Sequence, residues 1–296
     1  MEKKIAGCVI LFNPAAEIAS NIQSYCRDVG ILFVIDNSPV RNEAVIATIS
    51  GMTPNIVYHW MGENKGIAGG LNAACRMAMA EGWGWLLTMD QDSRFLTDGL
   101  ARLIAGMEET KARFAPLGIL SPVHQVSADF KSGTVARYEE ARFVMTSGNL
   151  LNLDAVASIG PFEEKLFIDC VDMDYCLRLR KAGFRIIRDH NIGLQHSLGD
   201  FRTGKVGSIR IGYSNHNAGR RYYITRNKIY LLKKYFRFDP RLGWLVIRSM
   251  AGDTLRILLF EHNKFGKLRA ILTGLRHSLT NHYGSYSPKS AKSRTL

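Results

Sequence analysis

From the N-terminus to about residue 110, short apolar runs alternate with stretches whose apolar residues recur at helical spacing. Ile5–Phe12, Ile31–Ile35, Asn55–Trp60 and Trp83–Met89 are the apolar runs. Runs of this kind suit strands buried on both faces of a parallel sheet. Ala15–Val29, Arg41–Ser50, Gly66–Ala80 and Thr97–Thr110 lie between and after them and read as helices. The alternation predicts βαβ units, an α/β fold with a mostly parallel sheet flanked by helices. Beyond residue 110 the pattern loosens. Ile119–Val123, Phe143–Ser147 and Arg185–Ile187 read as strands, and Ala155–Ile159 as a short helix. Asp172–Ala182 reads as a helix capped by Gly183. From about residue 200 the chain turns basic and helical.

Composition changes this picture mainly through charge. The 296 residues include 39 Lys+Arg and 26 Asp+Glu, a net charge of +13. Residues 1–200 hold 19 Lys+Arg and 23 Asp+Glu, whereas residues 201–296 hold 20 and 3. The surplus therefore belongs to the C-terminal third and predicts an anionic partner there. At 46% hydrophobic and 22% charged residues, wholesale disorder is excluded. Five cysteines without a CxxC pattern read as reduced core thiols. The first residues, Met1 to Pro14, mimic a short signal peptide, but the apolar run ends at Asn13-Pro14 without a small-residue cleavage site and reads as a first strand. The longest apolar stretch, Trp244–Phe260, is broken by Arg248, Asp253 and Arg256, too polar to span a bilayer. The expected location is cytoplasmic, peripheral on the inner face of the cytoplasmic membrane.

Candidate chemistry gathers where strands end, since open α/β sheets bind ligands beyond the carboxyl ends of their strands. Asp36 follows the second run, and Asp90-Gln91-Asp92 follows the fourth. Asp36 suits either a turn or a ligand contact. Two carboxylates on one rim suit Mg²⁺ or Mn²⁺ and a diphosphate. Gly62–Gly70 opens a helix as a glycine-rich turn, without the endings of a P-loop or a dinucleotide fingerprint; it serves close packing or an anion. Phe167–Arg178 holds Asp169, Asp172 and Asp174 where a helix begins, as dipole partners or as a general base. His196 follows a short apolar run.

Taken in chain order, these residues resemble the family-2 glycosyltransferases with the GT-A fold, most of all the bacterial rhamnosyltransferases of O-antigen, lipopolysaccharide and capsule assembly. The resemblance is carried by Val34–Ser38, Gly62–Asn72, Met89–Ser93, Thr146–Asn149, Phe167–Arg178, His196–Asp200 and Arg221–Asn227. It implies that Asp36, Asn64, Lys65, Gly66, Asp90, Gln91 and Asp92 bind a nucleotide-sugar donor. Ser147, Gly148, Asn149 and Asp169 would border the acceptor. Asp90, Asp92 and His196 would hold the metal, and His196, Arg221 and Arg226 would meet phosphate. Asp172 would be the base, with Asp174 and Asp169 as alternatives, because relatives often carry Glu where Asp174 stands. The implied reaction transfers rhamnose from dTDP-β-L-rhamnose, with inversion, to a sugar hydroxyl of a polyprenyl-diphosphate-linked glycan.

The expected organisation is a catalytic domain over residues 1–235, a basic amphipathic helical extension over 236–284 and a flexible tail over 285–296. Phe265, Leu268, Ile271, Leu272, Leu275 and Leu279 recur at near-helical spacing among basic residues. Such a helix suits an anionic membrane surface, the catalytic domain or an oligomer interface. A same-fold transferase using another nucleotide sugar, galactofuranose or N-acetylglucosamine, is the alternative reading. No zinc spacing or RNA-binding motif supports nucleic acid as a partner.

Overall fold

A computed structural model describes residues 5–15, 17–125, 136–196 and 201–286. The chain divides into two compact units, Met1–Glu164 with Val171–Leu198, and Lys165–Cys170 with Gly199–Leu296. The expected boundary at residue 235 falls within the second of these units. Most of the expected tail, residues 287–296, lies outside the described residues.

The first unit contains β1 (Ile5–Leu11), α1 (Ile18–Gln23), β2 (Ile31–Asp36), α2 (Glu43–Ser50), β3 (Ile56–Trp60), α3 (Gly66–Ala80) and β4 (Trp85–Asp90). It continues with β5 (Ser93–Phe95), α4 (Gly99–Ala105), α5 (Met107–Arg113), β6 (Leu117–Gln125), β7 (Tyr138–Glu140), β8 (Asn149–Asn152) and α6 (Leu153–Ile159). It ends with α7 (Val171–Lys181) and β9 (Arg185–His196). One sheet runs β3-β2-β1-β4-β8-β6-β9-β5, with β7 also on β9. The β3, β2, β1 and β4 neighbours pair in parallel, as the alternation predicts. All seven residues of β1 are buried, which requires cover on both faces. α3 packs on β1, β2 and β4, and its alanines and glycines allow the close approach.

Several expected elements change. Only Ile18–Gln23 of the first helix forms, and the Thr97–Thr110 helix splits in two at Gly106. Phe143–Ser147 joins no ladder; the strand follows it, at β8, antiparallel to β4 and β6. The Arg185–Ile187 strand extends to His196, because β6, β7 and β5 all pair along it. Gly183 does take the left-handed cap position after α7, with φ of 86°. The five cysteines are free and buried.

The second unit holds the hairpin β10 (Phe201–Val206) and β11 (Ile209–Ser214), which the helical reading from residue 200 did not anticipate. Three helices follow: α8 (Ala218–Tyr235), α9 (Arg241–Phe260) and α10 (Lys264–Leu279). α8 packs on both α9 and α10. Asn217 caps α8 through its side chain, which accepts the Arg220 amide at 2.8 Å.

Candidate active site

Strand register brings the first acids together. Leu11 of β1 lies opposite Asp36 of β2, and Ile10 lies opposite Asp90 of β4. Asp36 and Asp90 therefore leave the sheet at one rim, with β1 between them. β5 adds what no local pattern carries: Ser93 pairs across the ladder with His196, 103 residues later in the chain. Asp90, Asp92 and His196 consequently present ligand atoms that all lie within 4.8 Å of one another. His196 Nδ1 is 2.7 Å from Ser93 Oγ and 3.4 Å from Asp92 Oδ1. A ring nitrogen held in this way fixes the ring's orientation, as the outer partners of metal-binding histidines do. Two carboxylates and one imidazole fit a Mg²⁺ or Mn²⁺ ion whose other positions go to water and phosphate oxygen. The Ser197–Asp200 part of the histidine motif lies outside the described residues.

His124 was not singled out in the sequence. Its ring meets that of His196 edge-on at 6.0 Å, and its Nε2 is 2.7 Å from the Ser147 carbonyl oxygen. Burial lowers its pKa to about 4, so the ring is neutral near pH 7. No local signal marks this residue, because its partners arrive from β9 and from the loop before β8.

Among the residues expected at the donor, Asp36 is buried and accepts from the Ser38 amide at 2.8 Å and the Tyr58 hydroxyl at 2.7 Å. Burial and this bond raise the Tyr58 pKa. Trp60 ends β3 in register with Asp36, donates to the Ser38 carbonyl and keeps a partly exposed ring. Asn64 Oδ1 accepts the Gly66 amide at 2.9 Å, and the Gly66 carbonyl accepts from Asn37 at 2.9 Å. Lys65 is half exposed and pairs with Glu63. Gln91 is turned toward β1, bonding the Phe12 amide and carbonyl. With Asp92, Asn21 and Arg94 it lines a cleft of about 330 Å³.

Ser147, Gly148 and Asn149, expected at the acceptor, are buried. Ser147 Oγ accepts the Asp90 amide at 3.0 Å, so it holds the end of β4. Gly148 has φ of 81°, and a Cβ there would stand 2.7 Å from Pro122 Cγ and 2.9 Å from Leu194 Cδ2. Ser147 supports the strand end that bears Asp90. Asn149 Oδ1 has no hydrogen-bond partner, and Asn149 lines a small cavity with Asp172, Tyr175, Thr88 and Thr146. Thr88 stands two residues before Asp90 on β4, which brings Asp172 to the carboxyl end of that strand.

The three acids of the Phe167–Arg178 segment separate cleanly. Asp172 is half buried in the first turn of α7, and its Oδ1 accepts the Met173 amide at 2.8 Å. Asp174 is fully buried and pairs with Arg178 Nε at 2.9 Å, while Arg178 also reaches the Ile159 and Gly160 carbonyls. Asp174 is thus engaged within the fold, tying the start of α7 to Arg178 one turn on. Asp169 belongs to the second unit. Its Oδ1 takes Arg220 at 3.2 Å, its Oδ2 has no hydrogen-bond partner, and burial raises its pKa against the pull of Arg220.

Arg221 and Arg226, expected at phosphate, are both buried in the second unit. Arg221 meets Glu261 at 2.5 Å and the Ser214 carbonyl at 2.8 Å. Arg226 donates to the carbonyls of Lys165, Leu166 and Gly284. Neither guanidinium is open to a ligand, and packing against neighbouring elements, invisible in the sequence, is the reason.

Fold and rim together have the GT-A arrangement: a mostly parallel sheet whose strand ends carry a carboxylate pair and a metal-competent cluster. Residues 8–142 match the model of glycosyl transferase family 2, so this part of the chain carries a family-2 glycosyltransferase domain. It is 28% identical to the dTDP-rhamnosyl transferase RfbF of Shigella flexneri, over 93% of this chain and 97% of that one. The fold is similar to residues 1–349 of S. aureus TarS in complex with UDP-GlcNAc, with a TM-score of 0.59 at 13% identity, covering 93% of this chain and 81% of that one. It is also similar to GalNAc-T7 with UDP, GalNAc and Mn²⁺, with a TM-score of 0.57 at 11% identity, covering 78% of this chain and 48% of that one. The protein is a glycosyltransferase.

Proposed function

We propose that the enzyme transfers rhamnose from dTDP-β-L-rhamnose, with inversion, to a sugar hydroxyl of a polyprenyl-diphosphate-linked glycan. The observation that carries the reading is the Asp90–Asp92–His196 cluster, in a chain that matches a dTDP-rhamnosyl transferase over nearly its full length. Asp90, Asp92 and His196 would hold Mg²⁺ or Mn²⁺. When bound, the ion would offset the charge developing on the departing nucleoside diphosphate.

The chain's own groups supply the rest. Asp36 spends one lone pair of each oxygen on Ser38 and Tyr58, and the remaining pairs can accept from a base N–H or a ribose hydroxyl. Trp60 offers an aromatic face beside it. Asn64, Lys65 and Gly66 line the same rim, where α3 begins and its dipole favours phosphate. Asp172 takes the proton of the acceptor hydroxyl. That oxygen forms its bond to the anomeric carbon from the face opposite the diphosphate. The carbon–oxygen bond to dTDP breaks, and its electron pair leaves with the diphosphate. The product is an α-rhamnoside.

The basic second unit is proposed to rest on an anionic bilayer, on the inner face of the cytoplasmic membrane, where a lipid-linked acceptor is anchored. No helix among the described residues is long and apolar enough to cross a membrane.

The test is nucleotide release from dTDP-rhamnose and from a panel of UDP-sugars, with and without a lipid-linked acceptor and EDTA. Release from dTDP-rhamnose should exceed the others at least tenfold and vanish with EDTA. A preference for a UDP-sugar sinks the donor, and activity untouched by EDTA sinks the metal.

A further inference from the structure

The Arg221–Asn227 motif is left unexplained by the proposed ligands, since its arginines are buried. Within the second unit it faces the segment Lys165–Cys170. That segment is unusual. Phe167, Asp169 and Cys170 have φ of 64°, 62° and 64°, and none is glycine. Left-handed backbone at such residues persists only where the surroundings over-determine it, and it collects at functional sites.

One face of α8 provides the constraint. Asn227 Nδ2 lies 2.8, 2.7 and 2.9 Å from the carbonyl oxygens of Leu166, Ile168 and Asp169. Arg226 Nη2 lies 3.1 Å from those of Lys165 and Leu166. Arg226 Nε donates to Asn227 Oδ1 at 3.0 Å and so sets which way the Asn227 amide turns. The Tyr223 ring stacks on Phe167 with centroids 5.3 Å apart, and Arg220 holds the Asp169 carboxylate. Positions 220, 223, 226 and 227 recur at helical spacing. Most of these bonds go to backbone carbonyls, so they fix the path of the segment whatever its side chains are. The chain then runs through Val171 directly to Asp172.

We infer that Arg226 and Asn227 are positioning residues for the transfer reaction, holding 165–170 in its strained path and thereby setting how the chain enters the turn that bears Asp172. The inference rests on the reading of Asp172 as base. A bystander role in folding predicts that stability, donor binding and turnover decline together. A positioning role predicts that turnover falls while the donor site, built on β1, β2, β4 and α3, stays intact.

Asn227→Ala is the primary variant, and Arg226→Lys is the milder one should the first fail to fold. For each, kcat with acceptor is compared with the affinity for dTDP plus Mn²⁺ and with amide hydrogen exchange by peptide. The expected result is a kcat loss of at least tenfold in Asn227→Ala and fivefold in Arg226→Lys. The dTDP affinity should stay within twofold, with faster exchange confined to peptides around 165–172. A smaller kcat loss, or equal losses of kcat and dTDP affinity, overturns the inference. Failure of the base reading shows elsewhere: Asp172→Asn would then turn over near-normally, whatever Asn227→Ala does.

Discussion

Asp92 leaves 46% of its side chain exposed and Asp174 leaves none, and this contrast sorts the acids by what they can do. An exposed carboxylate beside a second carboxylate and an imidazole is held in place without being neutralised, which suits a ligand. A fully buried one satisfied by a guanidinium four residues on has its work done already. Exchanging the acids should therefore give opposite phenotypes. Asp172→Asn should keep its melting temperature and lose at least a hundredfold in kcat, the size of a general base's contribution. Asp174→Asn strands Arg178 in a largely buried site and should cost about 3 kcal/mol of stability. Denaturant unfolding and steady-state kinetics on the two variants check the pair. Equal losses of activity at equal stability would undo this sorting.

At the scale of elements, β9 and α8 carry more than their sequences suggest. β9 is long because three strands use it, and this pairing is what carries His196 to β5. The loop before β8 presents Ser147 to the end of β4, with Gly148 in a conformation and a space open only to glycine. In the second unit, His216 lies between β11 and α8. Burial, then Arg220 and Arg221, lower its pKa to about 4, against the opposing pull of Asp253. Lys267 adds a further positive charge. The unfolded chain binds a proton at this group near pH 6.5, and the folded chain resists until about 4. Stability from this group is thus full above pH 6.5 and declines as pH falls toward 4. Melting temperature should drop across that window, and His216→Asn should flatten the drop. An unchanged slope in His216→Asn would remove this residue from the account.

For the whole molecule, the +13 charge resolves into a near-neutral first unit and a basic second one. Residues 201–296 carry three acids, and all are already committed. Glu261 is buried between Arg221 and Lys267, Asp253 meets Lys228 and Arg256, and Asp239 is buried. Arg221, Arg226 and Lys267 are buried, and most of the other basic residues described in this unit are exposed. α9 adds an exposed apolar stripe of Trp244, Ile247, Leu255, Leu258 and Leu259, with Trp244 67% exposed and Arg241 and Arg248 on the same side. An apolar stripe flanked by arginines and free of acids matches the interface of an anionic bilayer, where each basic residue adds about 1 kcal/mol. The full-length protein should float with phosphatidylserine vesicles at low salt. Ile247→Glu with Leu255→Glu should weaken that binding about tenfold without lowering nucleotide release from a soluble acceptor. Equal flotation of the double variant would dismiss this face as the contact.

Sequence pattern alone determined the parallel half of the sheet, the α3 turn, the Gly183 cap and the acid-bearing strand ends. Each of these rests on neighbours in the chain: buried runs, turn residues and glycine permissiveness. It also placed the basic charge, because a count needs no coordinates. Only tertiary structure decided which charged groups remain available. Arg226 and Asp174 look in sequence like ligand contacts and are consumed by backbone carbonyls and by Arg178. His196 and Asp92 lie over a hundred residues apart and meet through a three-residue strand too short for any periodicity to reveal. Burial and long-range pairing are set by packing between elements. A motif can name the residue types of a site, but the fold chooses which of them face it.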